Sequence, residues 1–172
     1  MKFALIWMML ILPAENPPKP DAQGRDKVAG PRPKEPAKAC ELVTSLASKS
    51  FKPGGAIDLS KEFKNDTASA VTFWECGFWP NHRVTVKDGR GVEPKLTDHG
   101  RKTRGQFLKG SDLTIPVLLK PGMSYDYGKW RLDLTTLYTL PPGDYTVEIL
   151  YHEKFPRDAM MVSSKAIRFS IQ

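Results

Sequence analysis

The stretch LPPGDYTVEI, residues 140 to 149, carries the pattern that best predicts the fold. Two prolines and a glycine form a corner, and residues of alternating polarity follow, which is typical of a strand that begins after a turn. Tyr145 stands two residues after Gly143. From there its hydroxyl can turn back onto the corner, as in the tyrosine corner of Greek-key β-sandwiches. An ordinary cross-strand aromatic residue fits this position equally well.

The segments before this corner also show the alternation of strands. AIDLSKEF, residues 56 to 63, places three apolar residues on one face, and Lys61 interrupts that face. NDTAS then supplies turn residues before AVTFWECGFW, residues 70 to 79. The sequence therefore predicts that these two segments form an antiparallel pair.

A second hairpin is predicted in HRVTVKDGRGVEPKL, residues 82 to 96. Val84 and Val86 alternate with polar residues before DGRG, and Val92 and Leu96 resume the apolar pattern after it. Asp-Gly between apolar alternations is a strong hairpin signal, because glycine adopts the positive φ that a tight turn requires.

The remaining segments suggest strands joined by turns. The basic stretch at 99 to 109 is interpreted as a solvated loop, and Pro116 predicts an edge strand or a bulge in LTIPVLLKPG. LTTLYTL, residues 134 to 140, could form one helical turn, and two further strands follow near the C-terminus. This gives seven to nine short strands, for which the expected fold is an all-β, immunoglobulin-like antiparallel β-sandwich over residues 40 to 172.

The N-terminal residues have the order of parts found in a secretory signal peptide. Lys2 precedes an apolar run of ten residues, and proline and small residues follow. We expect a signal peptide over residues 1 to 14, with cleavage near Ala14 or as late as Ala22. The protein would then be secreted, periplasmic or held at the cell surface, and it would meet a membrane only during export.

Residues 15 to 39 form a Pro/Lys-rich linker in this interpretation. They contain six prolines, six basic and four acidic residues, and almost no large apolar ones. Such a composition buries too little surface to offset the entropy of ordering, so we expect a disordered linker.

The charge of the chain argues against a nucleic-acid partner. The formal net charge is +7, but Lys2 and the linker account for three of these charges, which leaves +4 on the domain. A small excess of this kind is typical of a soluble surface and is not the footprint of a nucleic-acid binder.

Four motifs in the domain resemble those of the intracellular proteinase inhibitor family of bacterial immunoglobulin-like sandwiches. They correspond to an early turn containing Asn, an Asp-Gly hairpin, a Pro-Gly-Ser segment and a Pro-Gly-x-Tyr-x-Val strand. In this chain they read FKNDTASAVTF, VTVKDGRG, VLLKPGMSYDYGKW and LPPGDYTVEI, within about residues 55 to 150. The resemblance implies the sandwich fold. It also implies proteinase inhibition, through an exposed loop such as 97 to 112 or 153 to 161.

The two cysteines, Cys40 and Cys76, fit one disulfide bond if the protein is exported. Such a bond would close the chain at the end of the linker onto the core and would stabilise the fold by roughly 3 to 4 kcal/mol in the chain-entropy model.

The sequence offers little for catalysis or for binding a metal or cofactor. The domain has three histidines and two cysteines, but none of them shows the spacing of a zinc site. No GxSxG motif surrounds any serine. We therefore expect no enzymatic activity, no metal and no cofactor.

The aromatic residues are the best candidates for a function. FWECGFWPNH, residues 73 to 82, would place large apolar groups on both faces of a strand. The core and a covering loop, or a bulge at Gly77, could hide them. Alternatively, a partly exposed platform would bind a protein or a glycan by stacking, which makes the chain an exported, non-enzymatic binding module. The candidate residues of that platform are Trp79, Tyr125, Tyr127 and Trp130.

Overall fold

The structure is a computed structural model that describes residues 40–109, 114–126, 130–153 and 160–172. The predicted signal peptide, the linker and Tyr127 lie outside these residues. The described chain is mostly β. Its strands are β1 Glu41–Leu46, β2 Ser50–Phe51, β3 Asp58–Lys64, β4 Val71–Glu75, β5 His82–Asp88, β6 Ile115–Leu119, β7 Ser124–Tyr125, β8 Arg131–Asp133, β9 Gly143–His152, β10 Met161–Ser163 and β11 Ile167–Ile171. Two short helices, α1 Phe78–Asn81 and α2 Asp98–Arg104, and a 3-10 turn at Leu134–Thr136 complete the elements.

Eleven described strands exceed the seven to nine that the sequence predicted, because several pieces contain only two or three residues. The 3-10 turn confirms the single helical turn predicted in residues 134 to 140. Within the described part of the chain, every helix is too short or too polar to cross a membrane.

The strands form three sheets. In the largest, β9 is central and pairs antiparallel with β5 on one side and with β10 and β11 on the other, while β2 adds to β11 in parallel. In the second, β3 pairs with β1 on one side and with β7 and β8 on the other. The third consists of β4 and β6. Inward residues of these strands form one apolar core, in which the rings of Phe63, Phe73 and Tyr151 contact one another.

The predicted pairing of β3 with β4 is wrong, because β4 pairs with β6. Asn65 in the connecting turn explains the difference. Its side-chain amide donates at 2.8 Å to the carbonyl of Ser69 and at 2.8 Å to the carbonyl of Leu119. The turn is therefore joined to β6, far along the chain, and it directs β4 toward that strand.

β6 confirms the edge position that Pro116 predicted. Among the described residues this strand pairs with β4 alone, and Pro116 lies opposite Trp74. The backbone N–H and carbonyl of Trp74 point away from β6. The N–H donates to Glu153 at 2.8 Å, and the carbonyl accepts from the Tyr151 hydroxyl at 2.8 Å.

The tyrosine corner is present. The Tyr145 hydroxyl donates to the carbonyl of Pro141 at 2.6 Å, and its ring stacks on Phe169 with centroids 5.4 Å apart. The corner thus fixes the start of β9, the longest strand.

Replacing Tyr145 by phenylalanine should therefore lower the free energy of unfolding by about 1 kcal/mol, because one hydrogen bond is lost while the ring stacking remains. Urea unfolding of the Y145F variant would measure the change. An unchanged unfolding midpoint would show that the corner contributes nothing to stability.

The predicted hairpin at residues 82 to 96 forms only in part. The turn is present, with Gly91 at a φ of +81° and its N–H bonded to the carbonyl of Asp88 at 2.8 Å. Val92 and Leu96 form no strand, although Leu96 makes an isolated bridge to Tyr138. The chain leaves the sheet here because Glu93 accepts a hydrogen bond from the Tyr138 hydroxyl at 2.8 Å.

The first part of the basic stretch is helical, which corrects its interpretation as a solvated loop. Thr97 caps α2 by accepting from the N–H of Gly100 at 3.0 Å. Arg104 pairs with Glu93 and donates to the Tyr138 hydroxyl at 2.7 Å. The Arg104 side chain therefore fastens α2 to the domain instead of extending into solvent.

Candidate functional site

The FWECGFWPNH segment changes direction at its glycine. β4 ends at Glu75, Gly77 has a φ of +92°, and α1 begins at Phe78. The alternation of faces stops at that point, so Phe78 and Trp79 belong to a helical turn and not to a strand. Of the strand residues, Phe73 and Glu75 face inward. Because β4 ends before Gly77, Phe78 and Trp79 do not lie on a face of that strand. The strand therefore does not carry large apolar groups from this turn on both of its faces.

The predicted disulfide between Cys40 and Cys76 is wrong, since neither cysteine forms a disulfide bond. The Cys40 thiol is buried and donates to the sulfur of Met160 at 3.4 Å, whereas the Cys76 thiol donates to Asn81 Oδ1 at 2.7 Å. The two thiols are thus directed toward different side chains. Burial, together with the negative charge of Glu153, raises the pKa of Cys40 to about 11.

A buried cluster of three ionisable side chains lies beneath this turn. Lys61 alternates inward on β3, and its Nζ lies 2.6 Å from His82 Nε2 and 3.4 Å from Glu75 Oε1. His82 Nδ1 lies 2.8 Å from the carbonyl of Phe78. Because a carbonyl only accepts, Nδ1 carries the proton and Nε2 accepts from Lys61. Each of the three residues is at most 5% exposed.

Burial shifts the pKa of every member of this cluster. It lowers the pKa of Lys61 to about 8, against the opposing effect of the Glu75 charge. It raises the pKa of Glu75, against the opposing effect of Lys61. The pKa of His82 lies well below its ordinary range, because burial and the nearby Lys61 charge both disfavour the imidazolium. Glu75 Oε2 is buried and has no hydrogen-bond partner among the described residues.

An aromatic stack connects this cluster to the surface. The Phe78 ring lies between Trp130 and His82, with centroids 3.9 Å and 4.4 Å away and interplanar angles of 16° and 3°. Trp79 meets the same ring edge-on at 4.7 Å. Trp130 is half-buried, so the stack runs from a partly exposed indole to a fully buried imidazole.

The second sheet is interrupted beside Lys61. On this side of β3, β8 pairs with residues 58 to 60 and β7 with residues 63 and 64, so Lys61 and Glu62 have no ladder partner among the described residues. On either side of this interruption, the N–H of Trp130 donates to the carbonyl of Asp126 at 3.1 Å.

A groove of about 470 Å³ lies at this interruption. Its lining combines one tryptophan with two hydroxyls, three carboxylates, one guanidinium and one lysine amine. The residues are Val43, Ser45, Leu46, Ala47, Asp58, Ser60, Lys61, Glu62, Asp126, Trp130 and Arg131. We call it the Trp130 groove. Trp130 lines the groove and also stacks on Phe78, whose ring contacts His82 of the buried cluster. Lys61 lines the groove and is itself a member of that cluster.

The structure separates the residues predicted to form an aromatic platform. Trp130 lines the groove, whereas Tyr125 packs edge-on against Phe73 at 5.7 Å. Trp79 shares the Phe78 ring with Trp130 but also faces His99, with centroids 6.2 Å apart. Tyr127 lies outside the described residues. Sequence reasoning missed the buried cluster, although the interruption of an apolar face by Lys61 was a visible signal.

The site shows neither a metal centre nor an activated nucleophile in the part of the chain that the structure describes. No group of three His, Cys, Asp or Glu residues there could hold a metal ion. Both ring nitrogens of His82 are engaged, by Lys61 and by the carbonyl of Phe78, so this imidazole is not positioned to activate the Cys76 thiol.

Because of this cluster, we expect the free energy of unfolding to rise from pH 8 to pH 10. The folded-state pKa of Lys61 lies below its ordinary value, so in this window the unfolded chain binds more protons and unfolding becomes less favourable as pH rises. Compared with a K61M/E75M variant, the wild-type free energy of unfolding should gain about 2 kcal/mol over this range. Urea unfolding at each pH measures the difference.

The comparison with the variant removes the effects of other groups. Burial raises the pKa values of Cys40, Tyr138 and Tyr151, so these groups lower stability at high pH in both proteins. A constant difference between the two proteins from pH 8 to pH 10 would contradict the lowered pKa of Lys61.

No protein-family model matches this chain, and no curated protein matches it either. The resemblance to the intracellular proteinase inhibitor family therefore stays a prediction from the sequence.

Proposed function

We propose that this chain is an exported, non-enzymatic binding module with an immunoglobulin-like β-sandwich, and that it binds a protein segment or a glycan in the Trp130 groove. The leader-like N-terminus supports export. The tyrosine corner and the mostly antiparallel sheets support the sandwich. The observation that carries the binding role is the groove itself, where the ladder of β3 is interrupted beside a partly exposed tryptophan.

The lining of the groove suits a ligand with both an apolar face and hydrogen-bonding groups. Trp130 offers a rigid aromatic surface for stacking. Ser45 and Ser60 line the groove, and their hydroxyl oxygens lie 2.6 Å apart. Carboxylates and one guanidinium surround them. Sugar rings and extended peptides both present this combination of groups.

The ionisable cluster next to the groove supports binding more than catalysis. A catalytic acid, base or nucleophile must reach the reacting atoms of its substrate. The side chains of Lys61 and Glu75 are only 2% and 3% exposed, and His82 is equally enclosed. Their hydrogen bonds hold the core beneath the groove.

Binding to a panel of oligosaccharides and peptides, measured by isothermal titration calorimetry, tests this proposal. Replacing Trp130 by alanine should weaken the affinity for any ligand found by tenfold or more, because a central aromatic residue contributes a large share of binding energy. Trp74 provides the matched control, since its side chain is 37% exposed on another sheet and does not line the groove.

Equal loss of affinity in W130A and W74A would contradict the assignment of the groove. Proteases belong in the same panel, because the predicted alternative is a proteinase inhibitor. One of its candidate loops now contains α2, whereas residues 110 to 113 and 154 to 159 lie outside the described residues. If the wild type inhibits a protease stoichiometrically and the W130A variant inhibits it equally well, the proposal is overturned in favour of proteinase inhibition.

A further inference from the structure

We infer that the Trp130 groove is pH-sensitive: proton uptake by the buried Lys61, Glu75 and His82 cluster displaces Trp130 and weakens ligand binding. This inference rests on the proposed function for its biological meaning. Its structural part, the coupling of the cluster to Trp130, can be tested without a ligand.

Near pH 7 the hydrogen bonds of the cluster suit a state of zero net charge, with a protonated Lys61, an ionised Glu75 and a neutral His82. Lys61 as an ammonium faces one carboxylate oxygen of Glu75 at 3.4 Å and the lone pair of His82 Nε2 at 2.6 Å. A proton added to His82 would place two cations at that short distance. A proton added to Glu75 would instead leave the Lys61 ammonium without its counter-ion. Either way, one uncompensated positive charge remains in the core, where desolvation makes it costly.

Among the described residues, no carboxylate hydrogen-bonds to the His82 ring to balance an added positive charge. From β9, the Tyr151 ring lies 5.1 Å away, and its single hydroxyl proton is shared between the Trp74 carbonyl at 2.8 Å and Glu153 Oε1 at 3.1 Å. Glu153 already accepts from the N–H groups of Trp74 and Met160 as well. The groups that contact His82 are Lys61 and Phe63 from β3, Phe78 from α1 and Tyr151 from β9. Glu75 from β4 is connected to His82 through Lys61.

The aromatic stack carries the change to the groove. His82 touches Phe78 twice, by a parallel ring contact at 4.4 Å and by the hydrogen bond from Nδ1 to the Phe78 carbonyl at 2.8 Å. Phe78 in turn stacks on Trp130 at 3.9 Å. An imidazolium repelled by Lys61 must move, and close-packed rings transmit that movement to their neighbours. We therefore expect the position of the Trp130 indole in the groove to change when the cluster takes up a proton.

NMR of the full chain labelled with ¹⁵N-tryptophan and ¹³C-histidine tests the coupling from pH 7.5 down to the pH at which the domain unfolds. W130F and W74F spectra assign the indole signals. We expect the Trp130 indole resonance to shift with the same midpoint as the first proton uptake seen at the His82 ring. The backbone amide of Gly122, which donates to the carbonyl of Asn65 at 2.8 Å, should not share that midpoint.

Two further results separate this inference from the proposed function. In an H82Q variant the Trp130 transition should be lost or moved, and an unchanged transition would overturn the inference. In the wild type, a Trp130 resonance that stays constant while the His82 ring titrates would overturn it too, without any variant. If the ligand panel fails but the two midpoints coincide, the coupling is supported and only the binding role is refuted.

Discussion

Replacing Lys61 by methionine should lower the free energy of unfolding by about 3 to 5 kcal/mol, which is the usual consequence of removing one partner from a buried ion pair. The substitution leaves the Glu75 carboxylate inside the core without its cation, and one of its oxygens is already without a hydrogen-bond partner among the described residues. Urea unfolding at pH 7 measures the effect.

The K61M/E75M double variant should regain most of this loss. It removes both charges together, and apolar replacements for a complete buried pair are often neutral or stabilising. Lys64 is the matched control, because it pairs with Glu62 on the same strand while its side chain is 41% exposed. The K64M variant should unfold like the wild type. A K61M variant as stable as the wild type would mean that Glu75 is neutral in the folded protein.

Replacing Gly100 by alanine should destabilise the domain by about 3 kcal/mol, the upper range for overpacking a closely packed site. A Cβ atom at Gly100 would collide with the carbonyl oxygen of Leu137 and would lie 2.9 Å from its carbonyl carbon. Both atoms belong to the backbone, so they cannot rotate away, and α2 must move from the residues that it contacts. Thermal or urea unfolding of the G100A variant tests this expectation.

Gly105, at the end of the same helix, provides the control. A Cβ atom there would meet its nearest neighbours at 3.4 Å and 3.5 Å, and the residue has an ordinary helical φ of −66°. The G105A variant should therefore differ from the wild type by less than about 1 kcal/mol, since alanine is favoured over glycine in helical conformations. Equal losses in the two variants would show that the α2 backbone, and not the Leu137 contact, limits stability.

Local sequence chemistry predicted those features of the fold that depend on neighbouring residues. The hydroxyl of Tyr145 reaches only four residues back to Pro141, and Pro116 excludes a central strand by its own structure. Strand pairings that depend on residues far apart in the sequence could not be predicted in this way. The pairing of β4 with β6 depends on a hydrogen bond from Asn65 to a carbonyl 54 positions later, and nothing within the NDTAS turn indicates that partner.

The candidate site was only partly predictable for the same reason. The alternation of β3 showed that Lys61 faces inward, but its partners Glu75 and His82 lie on other strands, 14 and 21 positions away. The predicted disulfide failed because counting cysteines gives no information on where each thiol points. Trp130 was identified as an aromatic candidate, but its place in a groove follows from the interruption between β7 and β8.

Pro116 also has a consequence for how this protein behaves at high concentration. Because the backbone of Trp74 faces away from β6, the backbone of Pro116 directly opposite faces the outer edge of that strand. Proline has no N–H to donate, so within Ile115–Leu119 only Leu118 can offer a hydrogen to an incoming strand. The side chains of Ile115 and Leu118 are 64% and 61% exposed and would otherwise favour fibril-like growth. A strand added at this edge would lack the hydrogen bond that residue 116 would otherwise donate, so Pro116 disfavours aggregation along this edge.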